Sequence, residues 1–322
     1  MSDVNQEVRD VVHPQAATGP AEKLAERDGA APAGRRRRTW DGPKDALTWF
    51  GVGCAGLFCL LAVVGPLVTP DPNAGSPTVL AGPSLDHLFG TDQLGRDLLA
   101  RTAAGTRVSL LVSLSAVVLG LLIALPLGIL AGYLGGSLLD DLIMRVLETV
   151  QALPMFVLAM FVIGLTGTGT GHVGPVPVTI TAKVVLLLGF AFIPYFARVA
   201  RSAAMAEAGQ DYVPALRVVG VSRSRIVLGE LLPNVMPGMV VQAFLAMALA
   251  IFAEGGLGFL GLGVQLPQAT LGNLTGGGTG YLPGGVWWYS VLPGAVMLAG
   301  ILGFNLIGDA LADRLGERGT AR

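Results

Sequence analysis

Glu207 to Pro233, EAGQDYVPALRVVGVSRSRIVLGELLP, is the longest polar, net-basic interruption in the second half of an otherwise apolar chain. Its spacing suits mechanical work rather than bond chemistry. Asp211 stands where an N-cap accepts a backbone N–H, and Pro214 falls in the first helical turn, where a missing N–H costs nothing. Tyr212, Leu216 and Val219 share one face of that short helix, with Arg217 pointing elsewhere. Gly220 suits the left-handed residue that ends a helix, and Ser222 suits the cap of a second helix running into Leu231 and Leu232. The expected object is a helix, a sharp corner and another helix. Elsewhere, Glu148, Glu230, Glu254 and Asp309 lie near apolar runs, where exposure to lipid is costly. All but Glu148 fall at run ends, within reach of headgroups and water, so Glu148 is the expected polar interior contact.

Residue sets for bond making and breaking are missing. No G-x-x-x-x-G-K-[ST] loop occurs, so this chain is not expected to hydrolyse ATP, and neither H-E-x-x-H nor G-x-S-x-G is present. His13, His87 and His172 are scattered over the tail and loops and read as solvated surface rather than metal ligands. Cys54 and Cys59 sit five apart in one apolar run, on different helix faces, and read as small buried hydrophobes. No catalytic residue, metal or cofactor is therefore expected on the chain itself.

The elements that position the corner are apolar. Of 322 residues, 52% are hydrophobic and only 13% charged, with 46 Gly and 20 Pro and a mean hydropathy of +0.64. A soluble domain carries about a quarter charged residues, so an all-α membrane protein is expected, each span needing about 20 apolar residues. Residues 1–46, with eight basic and eight acidic side chains and no apolar period, read as a disordered tail, the Arg35 to Arg38 cluster acting as a topological anchor. Six spans follow, at 47–69, 108–131, 142–165, 176–197, 231–253 and 286–308. Loops are expected at 70–107 and at the glycine-rich 254–285, whose run GGLGFLGLGV is too short to cross and reads as re-entrant or interfacial. The corner falls within 198–230, and 309–322 closes the chain as a short tail. Prolines 126, 154, 194, 237 and 293 interrupt five spans, and Gly128 with Gly132 forms a small-xxx-small pair. With the N-terminus inside, 17 of the 21 Lys and Arg lie on the inner side, which sets both termini in the cytoplasm.

The corner is similar to the cytoplasmic loop of bacterial ABC importer permeases, patterned E-A-A, three residues, Gly, nine residues, then I-x-L-P. Gly220 and Pro233 stand at that separation, Ala215 holds the first alanine and Leu232 the leucine. Pro214 replaces the glutamate, Leu216 the second alanine and Glu230 the isoleucine. The runs FGTDQLGRDLLAR, LLPNVMPGMVVQ, EGGLGFLGLGVQLP and FNLIGDALADRL resemble the second permease subunit of peptide and nickel uptake systems, over roughly residues 85 to 315. The resemblance implies a type I importer permease fold in a bacterial plasma membrane. Its partners would be a homologous second permease, cytoplasmic ATPase subunits that carry ATP and Mg, an extracytoplasmic binding protein and membrane lipid, with no nucleic acid. It further implies that Asp211, Tyr212, Pro214, Ala215, Leu216, Arg217, Val219, Gly220 and Ser222 meet the ATPase, Tyr212, Leu216 and Val219 through apolar contact and Arg217 through charge. On the outer side, the loop 70–107 with 254–285 would receive the binding protein, through Asp92, Gln93, Arg96 and Asp97. The expected cargo is a peptide, with a nickel chelate or glutathione as alternatives. The rival reading is a self-sufficient secondary transporter or channel, which would call for an internal repeat or for broken helices with polar groups at midplane.

Overall fold

The computed structural model describes residues 42–173 and 176–319. The expected tail, with His13 and the four-arginine cluster, lies almost wholly outside the described residues. The chain divides into Met1–Asp45 and Ala46–Arg322, and the helical body belongs to the second unit. Its long helices are α1 (Gly42–Val68), α2 (Leu98–Tyr133), α5 (Ile180–Ala208), α8 (Leu232–Phe259) and α10 (Trp288–Gly319). Between them lie α3 (Leu138–Gln151), α4 (Met155–Thr166), the short α6 (Tyr212–Val218) and α7 (Arg223–Ile226), and α9 (Leu271–Thr279). Strands β1 (Gly171–Val173) and β2 (Val176–Val178) form a small antiparallel hairpin pairing Gly171 with Val178.

Among the described residues, five helical stretches are long and apolar enough to cross a membrane, and α3 with α4 makes a sixth only if the bent pair counts as one span. A third span was expected at 142–165, interrupted by Pro154; there α3 and α4 meet at 74°. The cause is local. Pro154 has no N–H to donate and disfavours helical backbone at Leu153, and it starts α4 from an extended conformation, φ −56 and ψ 130.

Helix α2 begins ten residues before the expected span, because Asp97 caps it by accepting from the Ala100 N–H at 2.8 Å. Similarly, α5 starts from the Thr179 cap and runs to Ala208, past the expected end at 197. The hairpin was not foreseen, and 254–259 of the expected re-entrant segment simply continues α8. The rest of that segment holds α9, opened by a capping box between Thr270 and Asn273.

The densest packing joins α2 to α5. Small residues permit it: a Cβ on Gly128 would stand 2.5 Å from the Ala197 carbonyl oxygen and 2.6 Å from the Ala200 Cβ, and one on Gly132 2.5 Å from the Arg201 carbonyl. The small-xxx-small pair is therefore a real close approach. At one end of this pair of helices, Asp140 is fully buried and takes a two-pronged ion pair from Arg201, at 2.5 and 2.7 Å, plus the Gly136 N–H at 3.1 Å. That contact ties the start of α3 to α5. Outward faces are apolar, as with Leu57 and Leu67 on α1 and Leu122 on α2, the composition a lipid surface requires.

Candidate functional site

The corner forms as the sequence indicates, with a closer definition. Helix α6 ends in a Schellman motif: the Val221 N–H reaches back to the Leu216 carbonyl at 3.0 Å and the Gly220 N–H to Arg217 at 3.1 Å. Gly220 sits at φ +86, a conformation open to glycine at no steric cost. Capping at the entrance differs from expectation. Asp211 has helical backbone and its side chain caps nothing; Ser222 has the extended cap backbone but makes no capping bond. From α7 the chain passes through a π-helical turn, Val227–Leu231, straight into α8, so Arg223–Phe259 forms one continuous stretch.

The face that α6 presents is not the one its spacing suggests. Val213 is fully buried and Leu216 half-buried against the chain's own core, together with Ile226 and Leu231. Leu216 therefore anchors the helix instead of offering contact. Val218 and Val219, 88% and 81% exposed, form the free apolar tip. Arg217 turns back over the ring of Tyr133, 4.9 Å from its centroid, beside a cleft of about 370 Å³ lined by Tyr133, Leu134, Arg217, Val221 and Arg223. Pro214 and Ala215 are exposed on the short helix.

Glu207, not singled out from the sequence, is the polar tie of this corner. One of its carboxylate oxygens accepts from the Tyr212 hydroxyl at 2.7 Å and from the Asn234 amide at 2.8 Å. It thus joins the end of α5, the start of α6 and the start of α8. Burial, and then the Glu207 carboxylate it donates to, push the Tyr212 hydroxyl up to about 12, so it remains a donor at any physiological pH. Glu207 stands seven residues before Pro214, the position that lacks the resembling pattern's glutamate.

At the opposite end of α2 the structure corrects the expected binding-protein contacts. Asp92 is fully buried, Arg96 nearly so, and they pair at 2.6 Å, with the fully buried Arg101 3.4 Å from the same oxygen. Asp92 also accepts from the Leu94 and Arg96 N–H groups. Gln93 is bonded by the Tyr289 hydroxyl, and Asp97 takes His87 at 2.8 Å besides capping α2. These four residues hold the loop's own fold and offer little surface to a partner. His87, read as solvated, is one of their partners. Lys183, another charge at this end, is nearly buried and donates to the carbonyls of Thr166, Gly167 and Gly169 at 2.9 to 3.1 Å.

Glu148 is likewise displaced from its expected role: it is exposed on α3, making no interior contact. Glu254, expected near water, is 1% exposed on α8. Two interhelical bonds join exposed or half-buried polar groups instead: the Tyr195 hydroxyl donates to the Gln242 amide oxygen, and the Arg198 guanidinium donates to that of Gln151. Gln242 had a readable signal, being the lone polar side chain from Val235 to Ala253.

Comparison with known proteins places this architecture. The chain is 37% identical over 267 residues to the di/tripeptide transport system permease protein of Pseudomonas aeruginosa, covering 80% of this chain and 83% of that one. It is 36% identical over 268 residues to the dipeptide transport system permease protein of Bacillus subtilis, with 81% and 80% covered. It is 37% identical over 261 residues to the probable D,D-dipeptide transport system permease protein of Escherichia coli, with 80% and 83% covered. Among solved structures, chains of the inward-facing MetNI methionine ABC transporter share the fold. The native crystal form gives a TM-score of 0.50 at 20% identity, covering 65% of this chain and 94% of that one; the selenomethionine-soaked form gives 0.51 at 23%, covering 66% and 96%. A family profile described as the binding-protein-dependent transport system inner membrane component matches residues 124–318. The chain belongs to that family, the inner-membrane components of binding-protein-dependent transport systems.

Proposed function

We propose that this chain is a permease subunit of an ATP-driven ABC importer that carries short peptides into a bacterial cell across its inner membrane, with both termini in the cytoplasm. The observation that carries the reading is the corner. A stiff Schellman turn at Gly220 lifts an exposed Val218–Val219 tip at the foot of the continuous Arg223–Phe259 stretch. A contact on that tip bears directly on a helix long enough to span the bilayer. ATP and Mg belong to a cytoplasmic ATPase pair that grips α6, and a homologous second permease completes the path. An extracytoplasmic binding protein delivers the cargo to the opposite end. Coupling requires the ATPase to contact α6 differently in its two states. Peptide is preferred to a nickel chelate or glutathione because the relatives' names point to peptides.

Purifying the tagged chain with its companion subunits and reconstituting them with the binding protein tests the proposal. ATP-dependent accumulation of alanyl-alanine is expected. A chain that purifies without any ATPase, yet moves solute uphill, would refute it in favour of a secondary transporter.

A further inference from the structure

The exposed side chains of α5 change both face and character along its length. Leu186 and Phe190, one turn apart, are apolar and about half-exposed, whereas past the buried Pro194 the next exposed positions are Tyr195, Arg198 and Ser202, three to four residues apart on another face, and polar. Two neighbouring helices add polar groups there: Gln242 of α8 bonds Tyr195, and Gln151 of α3 bonds Arg198. By contrast, the exposed side chains of α1 from Leu57 to Leu67, and of α2 from Val118 to Leu130, are apolar.

Depth separates this strip from the headgroup region. Glu207 and Asn234 mark the corner end of α5 and α8. The Tyr195–Gln242 bond lies twelve residues back along α5 and eight forward along α8, roughly 12–18 Å further at the helical rise. Gln242 is also the midpoint of the apolar run 231–253, about one span long, which sets it inside the hydrocarbon layer. A half-buried amide and an exposed phenol at such depth face water or a polar solute, because lipid tails return no hydrogen bonds.

We infer that Tyr195, Gln242, Gln151 and Arg198 form the contact strip for the cargo peptide inside the translocation path. Arg198 pairs with the peptide's terminal carboxylate, and the phenol and amides bond its backbone. Arginine suits that task because its planar fork matches a carboxylate. Glu148, one turn before Gln151 on the same face of α3, presents an acid to the peptide's ammonium end. The inference rests on the peptide-import reading above and adds where the peptide is held.

The test uses the assembled transporter in lipid nanodiscs with Cys54→Ala and Cys59→Ala, carrying Gln242→Cys, Tyr195→Cys or, as the lipid-facing control, Leu122→Cys. A charged, membrane-impermeant thiol reagent should modify the first two far faster than the third, and alanyl-alanine should slow the reaction. Adding Arg198→Gln to the Gln242→Cys protein should raise the alanyl-alanine concentration for half-protection about tenfold, the loss of one charge-assisted pair. Half-protection by alanyl-alanine amide should not move. Gln242→Cys as unreactive as Leu122→Cys, which a lipid-facing strip or one sealed by the second permease would give, overturns the inference. So does full reactivity without protection in a complex that still imports alanyl-alanine. A wild-type complex that imports no alanyl-alanine removes the peptide reading itself, and the inference with it.

Discussion

Replacing Gly220 by valine separates the geometry of the corner from the stability of the body. An added Cβ would meet nothing within 4 Å, so the whole cost lies in the backbone at φ +86. Holding an L-residue left-handed costs about 1–2 kcal/mol, and a β-branched one somewhat more. Relaxing to negative φ instead breaks the bonds from Val221 to Leu216 and from Gly220 to Arg217, each contributing about 0.5–1.5 kcal/mol. Either route costs about 1–3 kcal/mol, a population shift of roughly 5- to 150-fold. That is below the roughly 5–15 kcal/mol that holds a folded domain, so the chain should still insert and fold, with Tm lowered only by about a few degrees per kcal/mol. ATP-driven uptake in proteoliposomes should fall by about the same 5- to 150-fold. Gly220→Asn should retain most of it, because asparagine tolerates the left-handed region. Wild-type uptake by Gly220→Val, or an asparagine variant as impaired as the valine one, would refute the argument.

Packing and polar ties give further expectations. Gly128→Ala places a methyl 2.5 Å from the Ala197 carbonyl and should lower Tm through an overpacking cost of about 1–3 kcal/mol. Gly53→Ala, with nothing within 4 Å, should hold or raise Tm by reducing chain entropy, worth about 0.5–1 kcal/mol in a helix; equal effects at both sites would count against the close approach. Arg201→Gln strips the buried Asp140 of its two-pronged partner and should cost up to about 3–5 kcal/mol, with Asp140→Asn in the same chain recovering part of the loss. Full additivity of those two changes would show that they do not interact. Lys183→Met removes the donor to three carbonyls, so limited proteolysis between Thr166 and Gly169 should accelerate; an unchanged digest would contradict that pinning.

What could be read from the sequence was local. The Gly220 corner rests on one residue's freedom and its fixed separation from Leu216 and Arg217, and it appeared where the spacing put it. The apolar runs likewise announced the long helices, since length and composition suffice for that. Pairing between distant residues was not legible. Asp92 and Arg96 read as outward contacts for a binding protein because nothing in the sequence says that they pair with each other, beside Arg101, in the interior. Leu216 looked like an outward contact for the same reason: which face of a seven-residue helix is covered depends on Ile226 and Leu231, whose position follows from the turn after it. Pro154 was visible, and it ends α3 and restarts the chain as α4, but a proline inside an apolar run does not fix the angle between the halves, so the 74° between α3 and α4 was not legible.

The backbone-close seam between α2 and α5 has a bearing on motion. Sliding of one helix past another uses interlocking side chains that can swap rotamers, and where a carbonyl meets a methyl across Gly128 no such gearing exists. The two helices therefore behave as a single plate. Any swing during a transport cycle is left to the kinked α3–α4 arm and to the rod that rises from the corner, so crosslinks within the plate should be silent while crosslinks between arm and rod arrest turnover.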